Sequence, residues 1–395
     1  MSVRFGKLLL HFGLVVASTA ITLVAFELVL RASGFSFPSF WQPDEITGSR
    51  LRAGAAGWSP SEGAAQVKIN SRGLRDREHA LAKPAGVYRI AVLGDSYAEA
   101  MQVGVEETFW WRLAQRLERC GFQSGKRIEA VNFGVSGYGT AQALLALRHR
   151  AWEYSPDMVL LAFFPGNDVR NNSKTLEPEK NRPFYVLRGS ALELDDSFRA
   201  DPAFRTARRA GEARAALQDL RLYQMLRRLK AGRLALRHNA PIAAALAEGA
   251  SPALAEQGLD ENVFREPAGG AWQEAWTITE KLLAAMHEET RARGARFVVA
   301  VLSSAGAVHP DGGLRKRYAQ HLGVADLFHP ETRLRRAGER HGFEVLALAP
   351  EMQRRAQAAR AYLHGFPNGK PGFGHWNQAG HELGAALIAQ HLCPR

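Results

Sequence analysis

Apolar residues along this chain form one long run near the N-terminus and, later, a series of short runs separated by helical patterns. The long run extends from Leu8 to Leu30 and is almost wholly apolar. As a helix it would measure about 34 Å, which exceeds the ~30 Å hydrocarbon core of a bilayer. We therefore predict a transmembrane helix within residues 1–32.

The charges before this run predict its orientation. Arg4 and Lys7 precede it, and basic residues favour the cytoplasmic side of a membrane. We expect a single-pass anchor in the inner (cytoplasmic) membrane, with the rest of the chain periplasmic or otherwise extracytoplasmic. A cleaved signal peptide is the alternative. Residues 17–20 would be a poor cleavage site, and the apolar run continues beyond them for longer than a signal peptide requires.

The later runs predict alternating strands and helices between residues 85 and 395. The five predicted strands are Val87–Leu93, Ile128–Phe133, Met158–Phe164, Phe297–Ser303 and Phe343–Leu348. The predicted helices are Glu106–Arg119, Thr140–Trp152, Ala271–Arg293, a stretch ending near His341, and Ala379–Leu392. This alternation indicates an α/β fold, a three-layer α/β/α sandwich around a five-stranded parallel sheet, with functional groups at the carboxyl ends of the strands.

Two segments depart from the alternation. Residues 33–84 mix Gly, Pro, Ser and Trp without sustained periodicity, and we expect a stalk and an irregular lead into the domain. Residues 171–267 are rich in Ala, Arg and Leu, most clearly in Ala213–Arg237, and predict a helical insertion. The insertion either covers one edge of the sheet or forms a lid or basic platform for an acidic substrate or lipid headgroups.

Composition narrows the possible partners. Lys and Arg number 51 against 39 acidic residues, a net charge of +12. Because no zinc-finger, helix-turn-helix or RNP pattern accompanies this charge, we expect a solvated basic surface and no nucleic-acid partner. No cluster of His, Asp and Glu has metal-ligand spacing, so we expect no metal. Cys120 and Cys393 either form one disulfide or remain two free thiols.

A candidate nucleophile follows the first predicted strand, in the run Gly94-Asp95-Ser96. A serine at this point sits on a sharp turn at a helix N-terminus, where nearby N–H groups stabilise an oxyanion. Its hydroxyl attacks an acyl carbonyl only when a base removes the proton. By itself the tripeptide fits equally well a strand-to-helix turn capped by Asp95 and Ser96.

The next two predicted strands end in candidate oxyanion donors. Gly137 is the last residue of the run Asn132-Phe133-Gly134-Val135-Ser136-Gly137 at the end of the second strand, and Asn167 follows the third strand. Since parallel strands end at one edge of a sheet, we expect the Gly137 backbone N–H and the Asn167 amide to point toward Ser96. Considered one at a time, each could be an ordinary loop residue.

A candidate base lies immediately before the last predicted helix. His375 is in a loop, where its side chain can reach over the strand ends, and a histidine suits general-base catalysis near neutral pH. His381 falls within the helix, so we expect it to pack or to form hydrogen bonds instead.

Taken in order, Ser96, Gly137, Asn167 and His375 resemble the four blocks that give the SGNH, or GDSL, hydrolases their name. The resemblance covers residues 87–392, apart from the insertion. It implies a flavodoxin-like sheet, no cofactor, and esterase, lipase, carbohydrate deacetylase or O-acetyltransferase activity. With its N-terminal anchor, the chain is similar to membrane-bound members associated with bacterial exopolysaccharide acylation.

The chain departs from this family at the third member of the catalytic triad. Most members have an aspartate two or three residues before the histidine, where this chain has Phe373 and Gly372. A Ser–His dyad oriented by a backbone carbonyl would still function, because the acid fixes the tautomer and stabilises the imidazolium. Asp168 is a possible substitute, since it lies near the strand ends.

Three functions therefore compete. The first is an ester hydrolase that removes acyl groups, chiefly acetyl, from a small molecule or from an envelope or exported polysaccharide. The second is a polysaccharide O-acetyltransferase with the same site, and the third is a non-catalytic glycan-binding protein, motivated by the missing acid. We rank them in this order.

Overall fold

The computed structural model describes residues 2–230 and 258–393. The strands in chain order are β1 (Trp41–Asp44), β2 (Gly48–Leu51), β3 (Ala56–Ser59), β4 (Ala65–Lys68), β5 (Val87–Gly94), β6 (Arg127–Asn132), β7 (Met158–Phe163), β8 (Phe184–Arg188), β9 (Ala191–Asp195), β10 (Arg296–Val301) and β11 (Glu344–Ala347). The helices are α1 (Ser2–Ala32), α2 (Ser96–Glu99), α3 (Phe109–Arg119), α4 (Thr140–His149), α5 (Pro165–Asn171), α6 (Pro202–Arg214), α7 (221–230), α8 (Gly270–Ala292), α9 (Ala305–Val308), α10 (Gly312–Leu322), α11 (His329–His341), α12 (Ala349–Ala359) and α13 (Gln378–Leu392).

The N-terminal helix is long, apolar and exposed. Within α1, the stretch Phe5–Ala32 is the one helix of the described chain with the length and composition to cross a membrane. Most of the large apolar side chains exposed on the described molecule belong to it. Such a surface is unfavourable in water, so α1 needs an apolar environment.

The five predicted strands form one parallel sheet in the order β11–β10–β7–β5–β6. The crossover from β5 to β6 through α3 runs one way along the sheet, and the later crossovers through α4, α8 and α11 run the other way. Right-handed crossovers then place α3 on one face and these three helices on the opposite face. On the first face α3 packs against α13, and on the second α4 packs against α8. The predicted three-layer α/β/α sandwich is confirmed.

Residues 33–84, expected to be a stalk, are folded against the domain. They form two antiparallel hairpins, β1 with β2 and β3 with β4. Their apolar side chains join the same core cluster as the central strands, among them Phe40, Leu51, Val67, Ile69 and Leu74. The hairpin strands are too short and too exposed to show a clear period in the sequence. The division of the chain after residues 32 and 84 stays a prediction.

The insertion contains a hairpin, β8 with β9, besides its helices. Helix α6 packs on β1, and α7 begins beside the end of α1. There the Glu27 carboxylate accepts the backbone N–H groups of Arg221 and Leu222 at 3.0 and 2.9 Å. Within the stretch Ala213–Arg237, residues 213–214 end α6, a 3-10 turn (Ala215–Leu217) follows, and residues 221–230 form α7. The last part of the stretch lies outside the described residues.

A disulfide joins Cys120, which follows α3, to Cys393, which follows α13. The two residues are 273 positions apart in the sequence. Of the two alternatives left open by the sequence, the structure has the bridge, and it links the two helices that share the first face of the sheet.

Candidate active site

The loops that follow β5, β6 and β7 meet at one edge of the sheet because these three strands are neighbours. Ser96 is the first residue of α2, and the Asp95 carboxylate caps this helix by accepting the Tyr97 N–H at 2.9 Å. Asp95 and Tyr97 are buried, whereas Ser96 between them is partly exposed. The turn therefore presents the serine hydroxyl to solvent.

Both candidate oxyanion residues lie beside this turn. The Asn167 side-chain amide donates to the Asp95 carboxylate at 3.2 Å. The loop that carries Gly137 runs along α2, where a Cβ added at Gly134 would lie only 2.5 Å from the Cβ of Ala98. Gly137 itself is exposed and has a φ of +79°, a conformation that favours glycine.

His375 reaches the nucleophile candidate from the last loop. Its Nε2 lies 2.8 Å from the Ser96 Oγ, although the two residues are 279 positions apart. The Tyr97 ring packs against the imidazole, with 5.0 Å between ring centroids. The structure thus brings together the serine and the histidine that the sequence analysis selected.

The other nitrogen of His375 contacts a residue that the sequence analysis missed. His375 Nδ1 lies 2.6 Å from the Glu62 Oε2, in the turn between β3 and β4. The same oxygen accepts the backbone N–H of His375 at 3.3 Å. A carboxylate can only accept, so Nδ1 carries the proton and Nε2 is left to accept the Ser96 hydroxyl proton.

Glu62 is charged in this environment. Partial burial raises the pKa of Glu62, but hydrogen bonds to His375 and the charge of that imidazole outweigh the burial, so its pKa falls below the usual value. Both side chains are partly accessible, 27% for His375 and 32% for Glu62. The pair is open to the solvent side of the site.

Glycines allow the Glu62 turn to approach the His375 loop closely. A Cβ added at Gly374, whose φ is +83°, would lie 2.3 Å from the Glu62 Oε1. On the other side of the turn, the Gly63 N–H donates to the Asn368 Oδ1 at 3.0 Å. In the sequence, Glu62 stands in an ordinary turn, and the only hint of its role is the missing acid before His375.

A buried histidine supports the loop from below. His364 Nδ1 lies 2.7 Å from the Gly374 carbonyl oxygen, and its Nε2 lies 3.1 Å from the Ser303 Oγ. Ser303 Oγ also accepts the Trp376 indole N–H at 2.9 Å. Burial lowers the pKa of His364 to about 3, so the ring is neutral, donates from Nδ1 and accepts from Ser303. The sequence analysis gave this histidine no role.

His381, expected to pack within the last helix, is buried in α13, and its Nδ1 accepts the Phe109 backbone N–H at 3.3 Å. Burial lowers its pKa to about 3. The residue therefore belongs to the packing between α3 and α13, as expected.

Asp168 does not serve as the partner of His375, because Glu62 occupies that position. Its Oδ2 accepts the Phe164 N–H at 3.0 Å instead. Burial, and then the negative charge of Asp95, raise the pKa of Asp168 well above its usual value. A carboxyl group held in the neutral form cannot stabilise an imidazolium. The interpretation of Asp168 as a substitute acid is therefore corrected.

A further buried carboxyl group, Glu99, ends the helix that Ser96 begins. Glu99 accepts hydrogen bonds from the Ser136 hydroxyl and, at 2.8 Å, from the Trp41 indole N–H. Burial raises the pKa of Glu99 to about 7. One short helix therefore connects Ser96, the loop of Gly137 and the β1–β2 hairpin.

Comparison with known proteins identifies no family: no family model and no curated protein matches the chain. Solved structures that resemble it include LAE5, described as an alpha/beta hydrolase enzyme from the metagenome of Lake Arreo (14% identity, 80% of this chain and 100% of that chain, TM-score 0.38). A lipase/acylhydrolase from Enterococcus faecalis is 13% identical over 77% of this chain and 95% of that chain, with a TM-score of 0.36. Axe2, an acetyl-xylooligosaccharide esterase from Geobacillus, is 10% identical over 78% and 95%, with a TM-score of 0.40. At these identities and TM-scores the matches say nothing about activity, which has to be argued from the site.

Proposed function

We propose that this protein is a membrane-anchored serine ester hydrolase that removes acyl groups, chiefly acetyl, from an envelope or exported polysaccharide. The observation that carries the proposal is the continuous chain of hydrogen bonds from Glu62 through His375 to Ser96. Nucleophile, base and orienting acid are the three parts that acyl transfer by a serine requires.

In the proposed mechanism, the Ser96 Oγ attacks the carbonyl carbon of the acyl ester while His375 Nε2 takes the hydroxyl proton. Glu62 accepts from Nδ1–H throughout and stabilises the imidazolium that forms. When the ester C–O bond breaks, His375 returns the proton to the departing sugar oxygen, and Ser96 remains acylated. A water molecule, deprotonated by His375, then attacks the acyl carbonyl carbon. The bond to the Ser96 Oγ breaks, His375 returns the proton to that oxygen, and the acyl group leaves as the free acid.

Three donors are proposed to stabilise the oxyanion: the backbone N–H groups of Ser96 and Gly137, and the Asn167 side-chain amide. An amide nitrogen has two N–H bonds. Asn167 donates one to Asp95, which fixes the orientation of its side chain. The second is the proposed oxyanion donor.

Glu62 also changes the balance between the competing functions. The non-catalytic alternative rested on the missing acid, and Glu62 supplies a carboxylate in contact with the base. An O-acetyltransferase would use the same three residues, with a sugar hydroxyl in place of water. The two activities differ only in their product, so product analysis separates them.

We propose further that α1 is an uncleaved anchor in the inner membrane and that the site lies outside the cytoplasm. The C-terminal end of α1 is joined to the insertion, because Glu27 accepts two N–H groups of α7 and Arg31 donates to the Asp219 carbonyl oxygen at 3.1 Å. These contacts hold the end of α1 against the domain. The disulfide agrees with an oxidising compartment.

The catalytic proposal is tested with a fluorophosphonate probe and with p-nitrophenyl acetate. The wild type is expected to be labelled and to release acetate, and Ser96→Ala to do neither. Ser61→Ala, an exposed serine beside Glu62, is the matched control and should behave as the wild type. Equal labelling and turnover in Ser96→Ala would contradict the proposal. With an oligosaccharide present, acetylated sugar in excess over acetate would indicate the transferase.

The anchor is tested by N-terminal sequencing of the protein recovered from membranes. We expect the recovered protein to retain the whole of α1 at its N-terminus. A mature protein that starts after residue 20 would show a cleaved signal peptide instead.

A further inference from the structure

A cavity of about 380 Å³ opens beside Gly137 and takes no part in the mechanism above. Its volume falls within the range of small-molecule sites. One wall is the β1–β2 hairpin, a second belongs to the insertion, and the Ser136–Tyr138 loop also lines the cavity. Both walls therefore come from segments outside the central sandwich.

The two walls are fixed to each other and to the loop of Gly137. The Tyr138 hydroxyl is 2.8 Å from both the Thr47 Oγ1 and the Ser49 carbonyl oxygen in the hairpin. At the hairpin turn, Gly48 has a φ of +86°, and a Cβ there would lie 2.5 Å from the Asn181 carbonyl oxygen. The cavity is thus formed by contacts that hold a defined shape.

Trp41 contributes an aromatic side chain to the lining of this cavity. The residue is 40% exposed, although its indole N–H is held by Glu99 at 2.8 Å. This hydrogen bond ties the indole to the short helix that Ser96 begins and limits its rotation. A large, rigid, half-exposed aromatic ring favours contact with a flat ligand that has an apolar face, such as a sugar ring.

Arg182 supplies a charge on the wall that belongs to the insertion. Its side chain is only 9% exposed, and its nearest carboxylate, Glu177, is 4.0 Å away. Among the described residues, nothing hydrogen-bonds its Nε or Nη2. Buried donors ordinarily have partners. These two adjacent N–H groups form the edge of a guanidinium that binds a carboxylate with two parallel hydrogen bonds.

From these observations we infer that the cavity binds a carboxylate-bearing sugar residue of the acylated glycan, with its ring on Trp41 and its carboxylate on Arg182. The inference rests on the proposed function, because the bound residue would present its ester to Ser96 past Gly137. The substrate class is then an acylated acidic polysaccharide.

The experiment compares three acetyl esters on the full-length protein in detergent: chemically acetylated polygalacturonate, acetylated xylan and p-nitrophenyl acetate. In Arg182→Gln, KM for the acidic glycan should rise about tenfold or more, with KM for xylan unchanged. Arg182→Lys keeps the positive charge but cannot form the two parallel hydrogen bonds. Its KM for the acidic glycan should therefore lie between those of the wild type and Arg182→Gln. Trp41→Ala should raise KM for both glycans, and Trp41→Phe, which keeps an aromatic ring but loses the hydrogen bond to Glu99, should raise it less. Turnover of p-nitrophenyl acetate should be unchanged in both Arg182 variants, and for the Trp41 variants KM for each glycan is compared with KM for p-nitrophenyl acetate.

An equal effect of Arg182→Gln on both glycans, or no effect on either, would overturn carboxylate recognition. An unchanged KM in Trp41→Ala would overturn the stacking site. If Arg182→Gln loses activity on p-nitrophenyl acetate, it is misfolded. Carboxylate recognition is then tested with Arg182→Lys, and the stacking site with the two Trp41 variants.

Failure of the inference is distinguishable from failure of the proposed function. A wild type that neither hydrolyses p-nitrophenyl acetate nor reacts with fluorophosphonate contradicts the function itself. The cavity is then tested by calorimetry on Ser96→Ala, titrated with oligogalacturonate and with xylo-oligosaccharide. Binding of the acidic sugar alone, lost in the Arg182→Gln background, supports the cavity, and equal or absent binding of both overturns it.

Discussion

At the scale of single residues, the carboxylate that contacts His375 belongs to a glutamate far away in the sequence. Glu62 is 313 positions before His375, yet it binds both the Nδ1 and the backbone N–H of that residue. Two hydrogen bonds to one carboxylate fix the ring plane as well as the tautomer. His375 is therefore oriented by Glu62 toward Ser96 and by His364 through the carbonyl group of Gly374.

Replacing the acid should test its role directly. In Glu62→Gln, the amide cannot stabilise an imidazolium and can favour the wrong tautomer, so kcat for p-nitrophenyl acetate should fall by about 10²–10⁴. KM should change little, because Glu62 does not contact the proposed acyl site. Steady-state kinetics near pH 7 measure both parameters.

Glu106→Gln is the matched control, since Glu106 is an exposed glutamate with no hydrogen bond or ion pair recorded in the described structure. Its kinetics should equal those of the wild type. If Glu62→Gln retained wild-type kcat, a dyad without a carboxylate would account for the activity and the Ser–His–Glu arrangement would be wrong.

At the scale of elements, two turns meet at Gly374. The β3–β4 turn brings Glu62 to the loop before α13, and a side chain at Gly374 would occupy the space of that carboxylate. A positive φ adds strain for any residue but glycine. Glu62 can therefore reach His375 only because these two turns are in contact.

Gly374→Ala should therefore displace Glu62 from His375. We expect kcat to fall by about tenfold or more while the protein remains folded, because the change lies in a partly exposed loop. Gly369→Ala, in the same loop, is the control: its Cβ would meet only the Phe366 carbonyl oxygen at 3.7 Å, an ordinary contact. Equal activity in the two variants would show that the turn adjusts without moving Glu62.

Helix α11 carries a buried carboxyl group that makes stability depend on pH. Burial, with a smaller effect of the Asp326 charge, raises the pKa of Glu331 to about 8, and its Oε2 has no hydrogen-bond partner among the described residues. A raised folded pKa means that this contribution to stability is full below the unfolded pKa. It is lost as the pH rises through about 8.

Glu331→Gln should remove this loss. At pH 9 the variant should be more stable to urea than the wild type by about 2–4 kcal/mol, and at pH 4 the two should agree. Glu339→Gln, an exposed glutamate on the same helix, should leave the pH dependence unchanged. A wild type whose free energy of unfolding is flat between these pH values would contradict the assigned environment.

The elements differ in how well the sequence predicts them. Strands such as β5 and β7 are buried at every position, so they appear as unbroken apolar runs and were predicted closely. Ser96, Gly137 and Asn167 follow such strands, so each can be identified from a short stretch of sequence. The hairpins of residues 33–84 and 184–195 are short, half-exposed strands without that signal. Glu62 depends on a contact across 313 positions, for which no local pattern exists.

At the scale of the whole molecule, two long-range contacts join segments that are far apart in the sequence. Cys120 is bonded to Cys393, and α1 is joined to α7 in the insertion. The bridge spans 273 residues, and in the chain-entropy view a long loop gains most from closure.

Removing the bridge should lower the stability of the fold. The double variant Cys120→Ser with Cys393→Ser, which leaves no unpaired thiol, should lose about 2–4 kcal/mol of unfolding free energy in urea. Treating the wild type with a reducing agent should give the same loss. Alkylation of both cysteines in unreduced, denatured wild type, read by mass spectrometry, would show that the bridge is absent.

The order in which the three linked residues are synthesised has a consequence for the nascent protein. Glu62 and Ser96 leave the ribosome before His375 and Cys393. Until the segment that carries His375 and Cys393 has emerged and docked, His375 cannot contact Ser96 and Cys120 cannot form its disulfide. Under the proposed mechanism, the nascent protein would therefore be unable to hydrolyse an ester until the loop that carries His375 has docked beside Ser96 and Glu62.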